Sequence, residues 1–178
     1  TAENLAELHK ISREDQDTFA MYSQQKASAA QAKGRFDLEI APLEIPQKKG
    51  DAKIFSQDEF VRKDSNMESL AKLKPAFKSN GTVTAGNASG LNDGGAAILI
   101  ASESGVKQHS LKPLARIVSN GAAGVQPRIM GIGPVEASAI ALKKAGLKLD
   151  QIDIIELNEA FAAQVLSCTR AWQIADND

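Results

Sequence analysis

Asn158 stands where a hydrophobic run, IDIIEL at 152–157, meets an alanine-rich run. A strand-to-helix junction is a rigid place to hold a polar group over a pocket. The Asn158 amide could donate, directly or through a water, to an oxygen that gains charge in a transition state. It could equally cap a helix that begins at Glu159, and spacing alone favours the cap. Glu159 could be a general base if buried or paired. Otherwise it suits a first helical turn, where its charge favours the helix dipole. A second candidate is GTVTAGNASGLNDGG, residues 81–95. Gly86, Gly90, Gly94 and Gly95 permit close backbone approach. Ser89 and Asn87 could hold a polar ligand by hydrogen bonds. A compact turn feeding the next strand explains the same residues, and spacing alone favours it. The stretch lacks the lysine and glycine order of a P-loop.

The remaining reactive side chains are few. The chain has one cysteine, Cys168, and two histidines, His9 and His109. The histidines stand in no metal-ligand spacing, so no metal site is expected. Cys168 falls where a helix face should be apolar, which argues for a buried free thiol and against a nucleophile. Met130 precedes two glycines and a helix start; it could line an acyl pocket or fill the core. Phe77 and Phe161 carry the same ambiguity. Arg62, in DEFVRK, could meet a phosphate or stack on a base, although a lone loop arginine is usually a solvated charge. Lys48 and Lys49 add positive field but form no binding motif.

The elements that must position these residues can be read from caps and periodicity. Ser12 and Asp15 form a helix start with Ile11 as staple, and the helix should stop near Gly34. Residues 36–45 alternate as one strand broken by Pro42, and 46–56 read as an exposed loop. A short helix is expected from Met67 to Leu73, ended by Pro75. The runs 96–101, 114–118 and 152–157 read as strands, the first of them buried. Pro134 should open a helix closed by Gly146, and 159–172 should form the last helix. Strand and helix alternating over the second half predict a layered α/β region.

Composition narrows the class further. The 178 residues are 43% hydrophobic, enough for an ordinary buried core. Twenty-one basic against 22 acidic residues leave a net charge of -1, which argues against a nucleic-acid partner. A single cysteine fits a reducing compartment and forms no internal disulfide. No apolar run reaches transmembrane length, and the chain begins at Thr1 without a signal-peptide pattern. Initiator removal or a start inside a longer chain would each explain Thr1.

Seven segments resemble one family in one order: residues 1–27, 34–43, 58–63, LAKLKPAF (70–77), GTVTAGNASGLNDGGAA (81–97), PRIMGIGPVEA (127–137) and IDIIELNEAFAAQ (152–164). That family is the thiolases. The AGNASGLNDG form is more similar to short-chain acetyl-CoA acetyltransferases than to fatty-acid-degrading thiolases. The resemblance implies a partial α/β thiolase fold, with a layered α/β/α/β/α core and an inserted CoA-binding loop domain. It places most of the loop domain at 1–91, the end of the N-terminal core at 92–112, and the first half of the C-terminal core at 113–178. It implies condensation of two acetyl-CoA to acetoacetyl-CoA and CoA, or the reverse thiolysis. A longer-chain 3-ketoacyl-CoA thiolase and a non-catalytic CoA-binding or assembly fragment are the alternatives.

The resemblance also assigns residues. Asn158 matches the asparagine that fixes an oxyanion-site water, and Ser89 the serine that contacts pantetheine. Arg62 and Ser69 match positions near the CoA nucleotide. Ala85, Gly86, Leu91, Met130, Ala160 and Phe161 match pocket or pantetheine-tunnel positions, and Phe77 a CoA-facing aromatic. The acylated cysteine is expected upstream of Thr1, and the GHP histidine and second cysteine downstream of Asp178. These 178 residues alone are therefore expected to be inactive and to need further chain for their core. CoA thioesters are the expected substrates, with no separate cofactor. A cytoplasmic homo-oligomer, usually a tetramer, is implied, without membrane or nucleic-acid partners.

Overall fold

The computed structural model describes residues 1–176. Eight regular elements matter for the site: α1 (Ala2–Leu8), α2 (Arg13–Ala32), β1 (Leu43–Ile45), β2 (Lys53–Phe55), α3 (Met67–Ala71), α4 (Glu103–Gln108), α5 (Gly133–Ala145) and α6 (Ala162–Trp172). Short 3-10 helices cover Pro127–Ile132 and Leu149–Gln151.

Local signals fix the helices. The Ser12 hydroxyl accepts from the Asp15 amide and the Asp15 carboxylate from the Ser12 amide, each at 3.0 Å, which closes a capping box on α2. At the far end Gly34 takes φ +65°, and Gly146 takes φ +69° after α5. Both conformations suit glycine and end their helices. Asn66 caps α3 by accepting from the Ser69 amide at 2.9 Å.

The core lies where α1, α2 and α6 meet the loop 82–90. Ala2, Ala6, Ile11, Val83, Ala163 and Leu166 form one buried cluster, with Phe19, Ala88 and Phe161 packed against it. Small side chains on α1 and α6 allow the helices to approach closely. Glu3 ties α1 to the loop: its carboxylate accepts from the amides of Thr82 at 3.0 Å and Val83 at 2.9 Å.

Several sequence expectations are corrected here. The runs 96–101, 114–118 and 152–157 form no strands among the described residues. The first is not buried either: Ile98 and Leu99 are each 84% exposed, and Ile154 in the third is 77% exposed. Their composition is right for a strand, but a strand is a pairing property. It needs a neighbouring ladder and a covering layer, and no described residues supply either. The 36–45 strand shrinks to β1, because 34–39 turn back after α2. The expected loop at 46–56 contains β2, which pairs antiparallel with β1 through Leu43↔Phe55, Glu44↔Ile54 and Ile45↔Lys53. The last helix starts at Ala162, not Glu159. Helices α1 and α4 carry no periodic apolar stripe long enough to announce them.

Candidate functional site

Two sequence motifs that lie far apart in the chain are joined by backbone hydrogen bonds. The Ser89 amide donates to the Ala160 carbonyl at 3.0 Å, and the Ala162 amide to the Asn87 carbonyl at 2.9 Å. Ala88 and Phe161 thus face each other in an isolated antiparallel bridge. The bridge explains how α6 begins. Phe161 occupies its N-cap position without a side-chain cap, and the Asn87 carbonyl takes one of the free amides of the first turn. Asn158 is therefore not the cap that spacing favours. It stands exposed four residues before the helix, its carbonyl accepting from the Ala160 amide at 3.0 Å. Glu159 likewise lies outside the first turn; it accepts from the Ser23 hydroxyl at 2.6 Å.

A set of candidate residues gathers around this bridge. The Phe161 ring meets the Phe77 ring edge-on, with centroids 6.1 Å apart and planes at 73°. Gly86 lies so close to α3 that a Cβ there would come within 2.5 Å of Leu70 and 2.6 Å of Leu73. Ala85 and Ser89 are exposed on the loop, and Ala160 is half-buried behind them. Beside Ser89 a cleft of 230 Å³ is lined by Phe19, Ser23, Gln24, Phe60, Asn87 and Glu159, among others.

Arg62 follows Phe60 and Val61, which line the cleft, and Ser69 lies on α3. The Arg62 amide donates to the Gln24 side chain on α2 at 2.7 Å, while its guanidinium side chain is exposed. The Ser69 hydroxyl donates to the Asn66 carbonyl at 2.8 Å and serves the α3 cap. Leu91 and Met130 are exposed and stand outside the bridge and its hydrogen bonds.

Other groups have structural work. Asn87 is buried, and its side chain is taken up by Thr84, Asp17 and Thr82, so it does not present its amide to a ligand. The Cys168 thiol is fully buried, 3.5 Å from the Gly131 carbonyl and 3.7 Å from the Gln164 amide. Burial pushes its pKa up, against the smaller pull of Gln164, so the nucleophilic thiolate is disfavoured. His9 and His109 terminate α1 and α4. Sequence reasoning missed Glu3 and Asp17, which anchor the loop, and Arg13, which ties Asp17 to the end of α3. Only the i,i+4 spacing of Arg13 and Asp17 on one helix face was there to signal them.

Comparison with known proteins matches this arrangement to one family. Residues 1–104 match the model of the thiolase N-terminal domain, and residues 111–178 that of the thiolase C-terminal domain. A beta-ketoadipyl-CoA thiolase of Acinetobacter baylyi is 56% identical over 178 residues, all of this chain and 44% of the relative. An acetyl-CoA acetyltransferase of Allochromatium vinosum is 53% identical over 177 residues, 98% of this chain and 45% of the relative. The structure of human mitochondrial 3-ketoacyl-CoA thiolase superposes with a TM-score of 0.90 at 52% identity, covering 98% of this chain and 43% of that one. The acetyl-CoA acetyltransferase of Bacillus anthracis gives 0.91 at 47% identity, covering 98% and 44%. The chain spans under half the length of these relatives, and it carries the corresponding part of their α/β fold. On its sequence and its fold alike, the chain belongs to the thiolase family.

Proposed function

We propose that this chain forms the CoA-binding wall and part of the oxyanion site of an acetyl-CoA C-acetyltransferase. The observation that carries the reading is the bridge between the Ser89 loop and the Ala160–Phe161 turn. It sets an exposed hydroxyl, a small-residue floor and an aromatic pair side by side. That combination suits a pantetheine arm, which is a slim chain with amides to bond and methylenes to bury. Arg62, exposed next to the cleft-lining Phe60 and Val61, supplies in this reading a cation for the nucleotide end. Asn158 stands free of capping duty. In this reading its amide orients a water toward the thioester oxygen as negative charge builds there.

The covalent steps are assigned to residues outside these 178. Cys168 is buried and its thiolate disfavoured, so it is a poor acyl acceptor. The apolar runs at 96–101, 114–118 and 152–157 support the same division. Unpaired hydrophobic segments of this kind call for covering chain. CoA thioesters are the only small molecules the reading requires. It includes a cytoplasmic homotetramer; no helix among the described residues is long and apolar enough to cross a membrane.

The test is thiolysis by the intact protein. Acetoacetyl-CoA should be cleaved in preference to a medium-chain 3-ketoacyl-CoA, and Asn158→Ala should lower kcat by roughly 10²-fold. The reverse preference would favour a longer-chain thiolase, which the name of the human structural relative keeps in view. CoA binding without thiolysis would favour a non-catalytic role.

A further inference from the structure

Behind the Ser89 loop lies a buried relay of polar groups. Asp17 on α2 is 2% exposed. One of its carboxylate oxygens accepts from the Arg13 Nε at 2.6 Å, and the other from the Asn87 Nδ2 at 2.9 Å. Arg13 reaches on with Nη2 to the carbonyls of Leu70 at 2.6 Å and Leu73 at 3.1 Å, at the end of α3. Asn87 turns its remaining hydrogen to the Thr82 carbonyl at 3.1 Å and its oxygen to the Thr84 amide at 2.8 Å.

An asparagine amide has two faces of similar shape and opposite polarity. The Thr84 amide and the Thr82 carbonyl set its orientation, and the carboxylate reinforces it with a charge that only the NH₂ end can face. The loop then closes in one way. The Asn87 carbonyl meets the first turn of α6, and Ser89 is carried onto Ala160. The relay therefore reaches the end of α3, the loop and the start of α6 from one charge. Arg13 fixes α3, on which Gly86 leans, and Asn87 fixes the loop and the start of α6. A largely buried ion pair such as Arg13–Asp17 adds little net stability, because desolvation cancels much of its attraction. Its value here is in choosing one loop conformation.

We propose that Asp17 is a positioning residue of the site, acting through Asn87 to hold Ser89 and Phe161 in register, with Arg13 as its counter-ion. The inference deepens the proposed function and rests on the reading that Ser89 and Phe161 meet the CoA moiety.

The experiment uses the intact protein and three variants: Asp17→Asn, Asn87→Asp and the double exchange D17N/N87D. Hydrogen exchange over 82–90 and 159–165 reads the loop directly, with α5 as an internal control. Steady-state thiolysis with varied CoA reads its use. In Asp17→Asn the charge behind the hydrogen bonds from Arg13 and Asn87 is gone, and the weakened hold on Asn87 should speed exchange in both segments about tenfold or more. The KM for CoA should rise about tenfold while kcat stays within about twofold, the signature of lost binding rather than lost chemistry. Asn87→Asp sets two carboxylates against each other and should be worse. The double exchange restores one amide facing one carboxylate and should recover part of the loss in both readouts. Exchange in 82–90 equal to the parent would overturn the proposal. So would exchange that speeds equally in α5, or an unchanged KM beside a loosened loop. If the parent neither binds CoA nor cleaves acetoacetyl-CoA, the CoA reading falls, and with it the role of Asp17 in the site. The exchange pattern would then report the relay's hold on the loop separately.

Discussion

Replacing Glu3 tests how the loop is anchored to α1. Its two oxygens accept from the Thr82 amide at 3.0 and 3.1 Å, the Val83 amide at 2.9 Å and the Thr82 hydroxyl at 3.3 Å. Glu3→Gln keeps the shape and leaves one oxygen to face both backbone amides. Its NH₂ can then point at the Thr82 hydroxyl, which already accepts from the Gln16 side chain at 2.8 Å. What is lost is charge. A hydrogen bond to a charged group contributes about 1.5–3 kcal/mol and a neutral one about 0.5–1.5, so two weakened bonds cost about 2 kcal/mol. Glu3→Ala removes both acceptors and leaves the part-buried Thr82 and Val83 donors unpaired. At about 1–3 kcal/mol for each orphaned group, it should cost about 4 kcal/mol. Urea unfolding of the intact protein at neutral pH measures both, and the two midpoints should separate clearly. A Glu3→Gln midpoint equal to the parent's, beside a clear loss in Glu3→Ala, would refute the argument that the charge, rather than the mere presence of an acceptor, strengthens this anchor. Losses under about 0.5 kcal/mol for both would show that the loop is held without it.

Three further outcomes follow from the same structure. A double-mutant cycle on Phe77 and Phe161, each changed to Leu, should give a coupling of about 0.5–1.5 kcal/mol; independent losses would remove the ring pair from the site. Gly131→Ala should cost about 1–3 kcal/mol on urea unfolding. The added Cβ would meet Gln164 at 2.8 Å and the fully buried Leu5 at 2.9 Å. Gly94→Ala, where a Cβ meets nothing within 4 Å, should stay near the parent. Asp15 gives a pH signature. Burial pushes its carboxyl up, but the Ser12 amide and the Arg170 guanidinium together outweigh that and hold it below the ordinary 3.8. A pKa depressed by folding contributes stability above the unfolded value and loses it as the pH falls through the folded one. Asp15→Asn should therefore lose under about 1 kcal/mol at neutral pH, since the pair is partly exposed. The gap to the parent should narrow as the pH falls from 3.8 downward.

The helices were legible because their signals are local. Ser12 and Asp15, Gly34, Pro134 and Gly146 lie within one turn of the ends they mark. The strands were not, because 96–101 and 152–157 show only what a strand looks like, and pairing is decided by chain elsewhere. The start of α6 was misread for a related reason. Its cap is the carbonyl of Asn87, which no window around Asn158 contains. The family motifs pointed to Ser89 and Phe161, yet spacing could not show that the two loops pair backbone to backbone. Asp17 was less visible still: its charge sits in a helix otherwise read for its caps, and its partner is 70 residues away.

The carbonyl cap on α6 has an optical consequence. The helix runs from Ala162 to Trp172, about 16 Å at 1.5 Å per residue, and Trp172 is the chain's single tryptophan. Its near end is pinned to the loop that carries Ser89, and a stiff rod transmits tilt from one end to the other. The indole at the far end is half-buried beside Thr169 and Ile174, where a small rotation changes its access to water. A disturbance at the loop should thus appear as a change in indole emission from a single natural tryptophan, with no label attached.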